Sequence, residues 1–133
     1  MILDTEYLDA LADGHEGAIA TATALDARGV PTRVPAAVVW ELYARVGGAA
    51  NPDASRRRGN YEQLLAGRET IGLTPDVARR AGELRGEHAR SDRLADLDGA
   101  DSLVAAHGLS LDEPVVSNDV DFRDVAGLRV ETY

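Results

Sequence analysis

The stretch from Leu97 to Tyr133 constrains this chain more than any other. Asp101 stands just ahead of a run of small apolar residues, Leu103-Val104-Ala105-Ala106, and Val115-Val116 then leads into Ser117-Asn118-Asp119-Val120-Asp121-Phe122. The apolar run reads as a buried helix over Asp101 to His107, and the valine pair reads as a short strand ending in a cluster of acids. A helix opened by an acid and followed by such a strand belongs to a sheet of parallel strands. There, strand ends lie beside helix starts and ligand sites form between them. Carboxylates gathered at one such point repel one another unless a cation holds them, and Mg²⁺ is the usual cation for a few carboxylates plus water.

The rest of the chain can be searched for acids delivered to the same place. Met1 to Leu3 reads as a very short buried strand with Asp4 at its end, followed by helical spacing at Tyr7, Leu8, Ala10 and Leu11. Asp13 to Gly17 reads as a break or as the cap of the next helix, Ala18 to Arg28, which Gly29 closes. Thr32 to Pro35 reads as a brief strand, and the Pro opens a helix over Ala36 to Val46 whose apolar face carries Val38, Val39, Leu42, Tyr43 and Val46. Gly47 to Gly59, with Gly-Gly, Asn51-Pro52 and Ser55-Arg56-Arg57-Arg58, reads as a loop. A helix is expected over Tyr61 to Ala66, then a strand or connector at Thr70 to Leu73. Thr74-Pro75 opens a helix that runs to about Arg90, and Ser91 to Asp98 is a polar connector. Leu128-Arg129-Val130 is the last strand expected. Alternating short strands and helices with no internal repeat give one α/β domain over residues 1–133 with a mainly parallel sheet.

Several acids fall where the pattern expects apolar or neutral neighbours: Asp4 at a strand end, Glu41 between Val38 and Leu42, Asp101 before the buried helix, and Asp119 and Asp121 after a strand. A half-buried carboxylate is costly unless it is paired or bound to metal. Each has a plainer reading. Asp4 alone is a strand-end cap, Asp101 alone a helix N-cap, and Asp98 a solvated acid in the connector. Glu41 is the hardest to dismiss.

Composition narrows the chemistry. The chain has 23 acidic residues against 14 basic, a formal net charge of -9, and every basic residue is arginine. A dense carboxylate surface of this kind fits solubility in high salt, as in a halophile. It argues against non-specific nucleic-acid binding through bulk charge, but not against a local arginine-lined track. The absence of cysteine removes disulfides, thiolate metal ligands and a thiol nucleophile. No apolar run is long enough to span a membrane and the N-terminus has no signal-like core, so a cytoplasmic protein is expected.

Taken in order, these segments resemble the PIN-domain ribonucleases, and in particular the VapC-type toxins of toxin–antitoxin pairs. The resemblance runs through Ile2-Leu3-Asp4-Thr5, Val39-Trp40-Glu41-Leu42, Asp101-Ser102-Leu103-Val104-Ala105-Ala106, Val116-Ser117-Asn118-Asp119-Val120-Asp121-Phe122 and Gly127-Leu128-Arg129-Val130-Glu131-Thr132-Tyr133. It implies a three-layer α/β/α sandwich and a divalent-metal-dependent endoribonuclease. Asp4, Glu41, Asp101 and Asp121 would be its catalytic acids, and Asp4, Asp101, Asp119 and Asp121 would hold Mg²⁺ or Mn²⁺. Thr5, Ser117, Asn118 and Asp98 would support them, with Asn118 standing where many members carry Asp. Arg56, Arg57 and Arg58 would grip the RNA backbone or a partner. A small antitoxin and a homodimer are further implications, the dimer drawing on apolar surface near Val38 to Val46 and Tyr61 to Leu65. His15, His88 and His107 do not cluster in sequence, and His107 reads as structural. Two rival enzyme classes fit less well: a receiver domain needs a lysine, and a haloacid-type phosphatase needs Asp-x-Asp where this chain has Asp4-Thr5-Glu6. A degenerate, non-catalytic PIN scaffold that binds RNA or protein is the non-enzymatic alternative.

Overall fold

The structure is a computed structural model that describes all 133 residues. Five short strands, β1 (Ile2–Leu3), β2 (Arg33–Pro35), β3 (Glu69–Ile71), β4 (Val115–Val116) and β5 (Val130–Glu131), form one sheet in the order β3-β2-β1-β4-β5. Every pairing is parallel. Six helices connect them: α1 (Thr5–Ala12), α2 (Glu16–Ala27), α3 (Ala36–Gly48), α4 (Asp53–Leu65), α5 (Pro75–Ala89) and α6 (Gly99–Leu111). The chain therefore has the α/β/α architecture expected. No helix is long and apolar enough to cross a membrane.

Strands β1 and β4 are wholly apolar because helices cover the sheet on both faces there, while the edge strands β3 and β5 carry exposed polar residues. Ile2, Leu3, Val34, Val115 and Val116 are almost fully buried. Tyr7 and Leu8 of α1, Val38 and Leu42 of α3, and Val104, Ala105 and Ala106 of α6 join them in one core with Leu97 and Phe122. Helix α6 is buried over Val104 to Gly108 without a break, which is why its sequence shows small residues rather than an amphipathic stripe. A short 3₁₀ turn over Val120–Asp124 places Phe122 in that core.

Gly108 shows how tightly α6 lies on the sheet. A Cβ there would stand 2.7 Å from Leu128 Cδ1 and 3.1 Å from both the Glu113 carbonyl and Val115 Cγ2. Gly108→Ala is accordingly expected to destabilise the fold by about 1–3 kcal/mol, the usual effect of overpacking. Gly47→Ala, with open space at its Cβ position, is the control. Equal denaturation midpoints for the two variants would refute the packing argument.

Register fixes the important juxtaposition. Leu3 pairs with Val116, so the residues that follow, Asp4 and Ser117, leave the sheet side by side. The strand order reverses about β1, with β2 on one flank and β4 on the other. This is the switch point at which ligand crevices open beyond the carboxyl ends of parallel strands.

Three local expectations are corrected. Residues 47–59 are not a loop: α3 runs on to Gly48, and α4 begins at Asp53 and carries Arg56, Arg57 and Arg58. Its first turn is held by Asp53, which pairs with Arg56 at 2.7 Å and Arg57 at 2.8 Å, contacts at helical spacing that an apolar pattern does not reveal. Within the stretch Asp13 to Gly17 read as a break or cap, the residue that caps α2 is His15, whose Nδ1 accepts the Ala18 N–H at 3.3 Å. The cap of α6 is Asp98, not Asp101. Finally, the apolar residues Val38, Leu42, Val46 and Tyr61 are buried within this chain and leave no broad apolar face. Trp40 is the large exposed side chain of α3, at 69%.

Candidate active site

Asp4 occupies the position immediately after β1 and caps α1. Its Oδ1 accepts the Thr5 N–H at 2.7 Å, and its Oδ2 accepts the Ser117 hydroxyl at 2.8 Å. Only 3% of the residue is exposed. Burial pushes its carboxyl up to about 6, against the pull of the bonds from Ser117 and Thr5.

The neighbouring elements bring further acids to the same spot. Glu41, half-buried on α3, accepts a hydrogen bond from the Thr5 hydroxyl. Burial raises its carboxyl above the usual range while the Thr5 bond opposes the rise. Asp101 lies in the first turn of α6, where its backbone N–H donates to Asp98 Oδ1 at 2.9 Å. Burial, and then the charges of Asp98, Asp4, Asp119 and Glu41, push Asp101 up to about 8. The Asp119 N–H donates to Ser117 Oγ at 3.0 Å, which sets this residue beside the same strand end.

Together these residues line an open cavity of about 390 Å³ whose walls are Asp4, Thr5, Glu6, Glu41, Arg45, Asp98, Asp101 and Asp119, with no hydrophobic member. Thr5 and Ser117 act as brackets, each donating its hydroxyl to one acid.

Other candidate residues stand elsewhere. Asp121 sits in the 3₁₀ turn outside the cavity, its N–H donating to Asp119 Oδ1 at 2.9 Å. Asn118 spends its amide on the backbone of Tyr133, donating to the carbonyl and accepting from the N–H at 3.0 Å each. Arg56 and Arg57 pair with Asp53, and Arg58 lies over the Tyr43 ring at 5.7 Å from its centroid. His88 Nδ1 lies 2.9 Å from the Ala95 carbonyl, and burial lowers the His107 pKa.

Two cavity residues were not singled out from sequence, Glu6 and Arg45. Arg45 lies one helical turn beyond Glu41, so the spacing of α3 already put both on one face. It forms an ion pair with Asp9, which also accepts the Tyr61 hydroxyl at 2.6 Å.

The donor set consists of carboxylate and hydroxyl oxygens, which suits a hard divalent cation such as Mg²⁺ or Mn²⁺. Three of the carboxyls, Asp4, Glu41 and Asp101, carry raised pKa values because burial and mutual repulsion oppose their charge, and a cation would offset both effects. No three of the chain's acids or histidines stand close enough together, as placed, to enclose an ion. The acids share one cavity rather than one coordination sphere, and closing them on an ion requires side-chain rotation.

The PIN domain family profile matches residues 1–128. No curated protein matches the chain significantly. Among solved structures, VapBC2 from Rickettsia felis, bound to a DNA fragment from its promoter, superposes with a TM-score of 0.83 at 20% identity over 98% of this chain and 96% of that one. VapBC-5 from Mycobacterium tuberculosis, a member of the VapBC family of toxin–antitoxin systems, gives 0.69 at 27% identity over 98% and 94%. VapC20 from Mycobacterium tuberculosis, described as a sarcin–ricin loop cleaving toxin, gives 0.69 at 17% identity over 94% of each chain.

Proposed function

The chain belongs to the PIN-domain family, and on that premise we propose that it is a divalent-metal-dependent endoribonuclease, the toxin of a toxin–antitoxin pair. One observation carries the reading: Asp4, Glu41 and Asp101, from three distant segments, face one open and wholly polar cavity at the switch point of a parallel sheet.

Asp4 and Asp101, with Asp119 alongside, would hold the cation, and Asp121 would reach it only by a movement of the 3₁₀ turn. When bound, the cation offsets charge building on a scissile phosphodiester and acidifies water. The protein's part is orientation and proton handling. The Ser117 hydroxyl fixes Asp4, and the Thr5 hydroxyl fixes Glu41 at the cavity wall. Glu41, whose raised pKa makes it a better proton acceptor than an ordinary carboxylate, takes a proton from the attacking water. The reading is tested by incubating the pure protein with total RNA and Mn²⁺ and mapping the fragment ends. Discrete cleavage that stops in excess EDTA is expected. Intact RNA, or cleavage that persists in EDTA, overturns it. Salt-dependent RNA binding without cleavage would instead favour a non-catalytic binding module, the reading to which the unconverged acids give some support.

Solved neighbours include members of VapBC toxin–antitoxin systems, which supports a small antitoxin as partner. A homodimer is proposed alongside it, with Trp40, 69% exposed on α3, in the interface. Light scattering is expected to give about twice the chain mass of 14.1 kDa, and Trp40→Ala to lower it. A monomer at all salt concentrations would refute the dimer.

A further inference from the structure

The acid cavity presents a problem for the substrate it is proposed to hold. Its charged wall has six carboxylates and a single guanidinium, that of Arg45, and RNA is a polyanion. Arg45 also lines a second open cavity of about 440 Å³, with Gly48, Ala49, Asp53 and Arg57. The two cavities are therefore contiguous through one side chain. Arg45 is held in place: one of its terminal nitrogens pairs with Asp9, and Asp9 is itself fixed by the Tyr61 hydroxyl at 2.6 Å. The side chain remains 47% exposed, and that of Arg57 across the cavity 35%. Asp53 engages Arg57 through Nε at 2.8 Å, and the Tyr61 hydroxyl lies beside the same guanidinium. The floor between them is Gly48 and Ala49, small residues that let a bulky group approach.

From this arrangement we infer that Arg45, with Arg57, forms a phosphate site for the RNA strand next to the scissile position. The inference rests on the ribonuclease reading and adds the path of the substrate. A guanidinium suits the task because its planar fork matches two phosphate oxygens. Asp9 then serves as the tether that keeps the fork at the lip of the acid cavity. In a chain of net charge -9, a local pair of arginines supplies attraction that the bulk surface cannot. Arg57 belongs to the arginine run expected to grip RNA, whereas its neighbours turn elsewhere: Arg58 is drawn over Tyr43 and Arg56 toward Asp53 and Asp13.

The test measures binding of a labelled oligouridylate by fluorescence anisotropy across a salt series in Mn²⁺, in an Asp101→Asn background that limits cleavage. Arg45→Gln is expected to weaken binding about tenfold, the effect of losing one charge-assisted contact. It should also make the plot of log K against log salt shallower by about 0.7, the loss of one single-strand phosphate contact. Arg45→Lys should keep the slope, Arg57→Gln should lose a similar amount, and Arg79→Gln, on α5, should change nothing. An unchanged slope in Arg45→Gln overturns the inference. So does an equal loss in Arg45→Lys, which would mark a packing role toward Asp9, and so does absence of salt-dependent binding by the parent protein. If Arg45→Gln does not fold, the slope of Arg57→Gln decides. Failure of the parent chain to cleave RNA overturns the ribonuclease reading alone and leaves this binding comparison standing.

Discussion

Asp101→Asn is expected to abolish RNA cleavage and yet leave a folded protein. The start of α6 does not depend on the Asp101 side chain, because Asp98 is the residue that caps it, accepting the Asp101 N–H at 2.9 Å. An amide of the same shape keeps the packing of the first turn. What it removes is the charge on a carboxyl that shares the cavity with Asp98, Asp4, Asp119 and Glu41. A bound cation contributes several kcal/mol of transition-state stabilisation, so loss of its ligand should slow cleavage on the order of a thousandfold or more. Cleavage and a denaturant titration on the same preparation check both halves. Full activity in the folded variant would remove Asp101 from the site. Loss of the cooperative unfolding transition would mean that the residue is structural and that Asp98 does not suffice as the cap.

Much of this arrangement can be read from the chain because parallel strands leave a strong pattern. Two-residue strands such as Ile2–Leu3 and Val115–Val116 are short, but both are wholly buried, and each is followed at once by a polar residue that must face the strand-end crevice. Glu41 stands out for the same reason, as an acid within an apolar face. What stays hidden depends on partners far apart in sequence or on contacts that carry no apolar signal. Helix α4 has one fully buried residue, Tyr61, and is stabilised at its start by Asp53 and the arginines, so Gly-Gly and Asn-Pro dominate the local reading. Asp98 and Asp101 are each plausible caps by type. Only the burial of Leu97, a core residue that anchors the connector, decides that the helix begins one turn earlier. Arg45 could be placed on the Glu41 face, but its fixed position comes from Asp9 and Tyr61 on two other helices. Asn118, read as a weakened acidic position, has instead a local structural task in joining the end of β4 to Tyr133.

The metal-free protein is expected to lose stability as pH rises from about 4 to about 8, and saturating Mn²⁺ to restore it. Asp4 titrates near 6 and Asp101 near 8 in the folded state, both above the 3.8 of a free aspartate. Between those values the folded chain binds more protons than the unfolded one, so the free energy of unfolding falls with pH. The stability these groups contribute is fully present below about 4 and is lost as pH passes through their folded values. For Asp4, which is almost fully buried, the loss is about 3 kcal/mol; Asp101 opens on the cavity, and solvent screening reduces its share. Metal reverses the trend, because it binds the deprotonated carboxylates and competes with the proton. At a hundredfold excess over Kd it adds about 2.7 kcal/mol, with the full gain at pH 8 and little at pH 5. Urea titrations at pH 5 and pH 8, in EDTA and in Mn²⁺, give the four values needed. The acidic surface also favours low pH, so the deciding quantity is the difference between the parent chain and the Asp4→Asn/Asp101→Asn double variant. In EDTA that difference should grow with pH in favour of the variant, and Mn²⁺ should stabilise the parent alone. A difference that is flat with pH would mean that the two carboxyls are not coupled to the fold, and equal stabilisation of both proteins by Mn²⁺ would place the metal elsewhere.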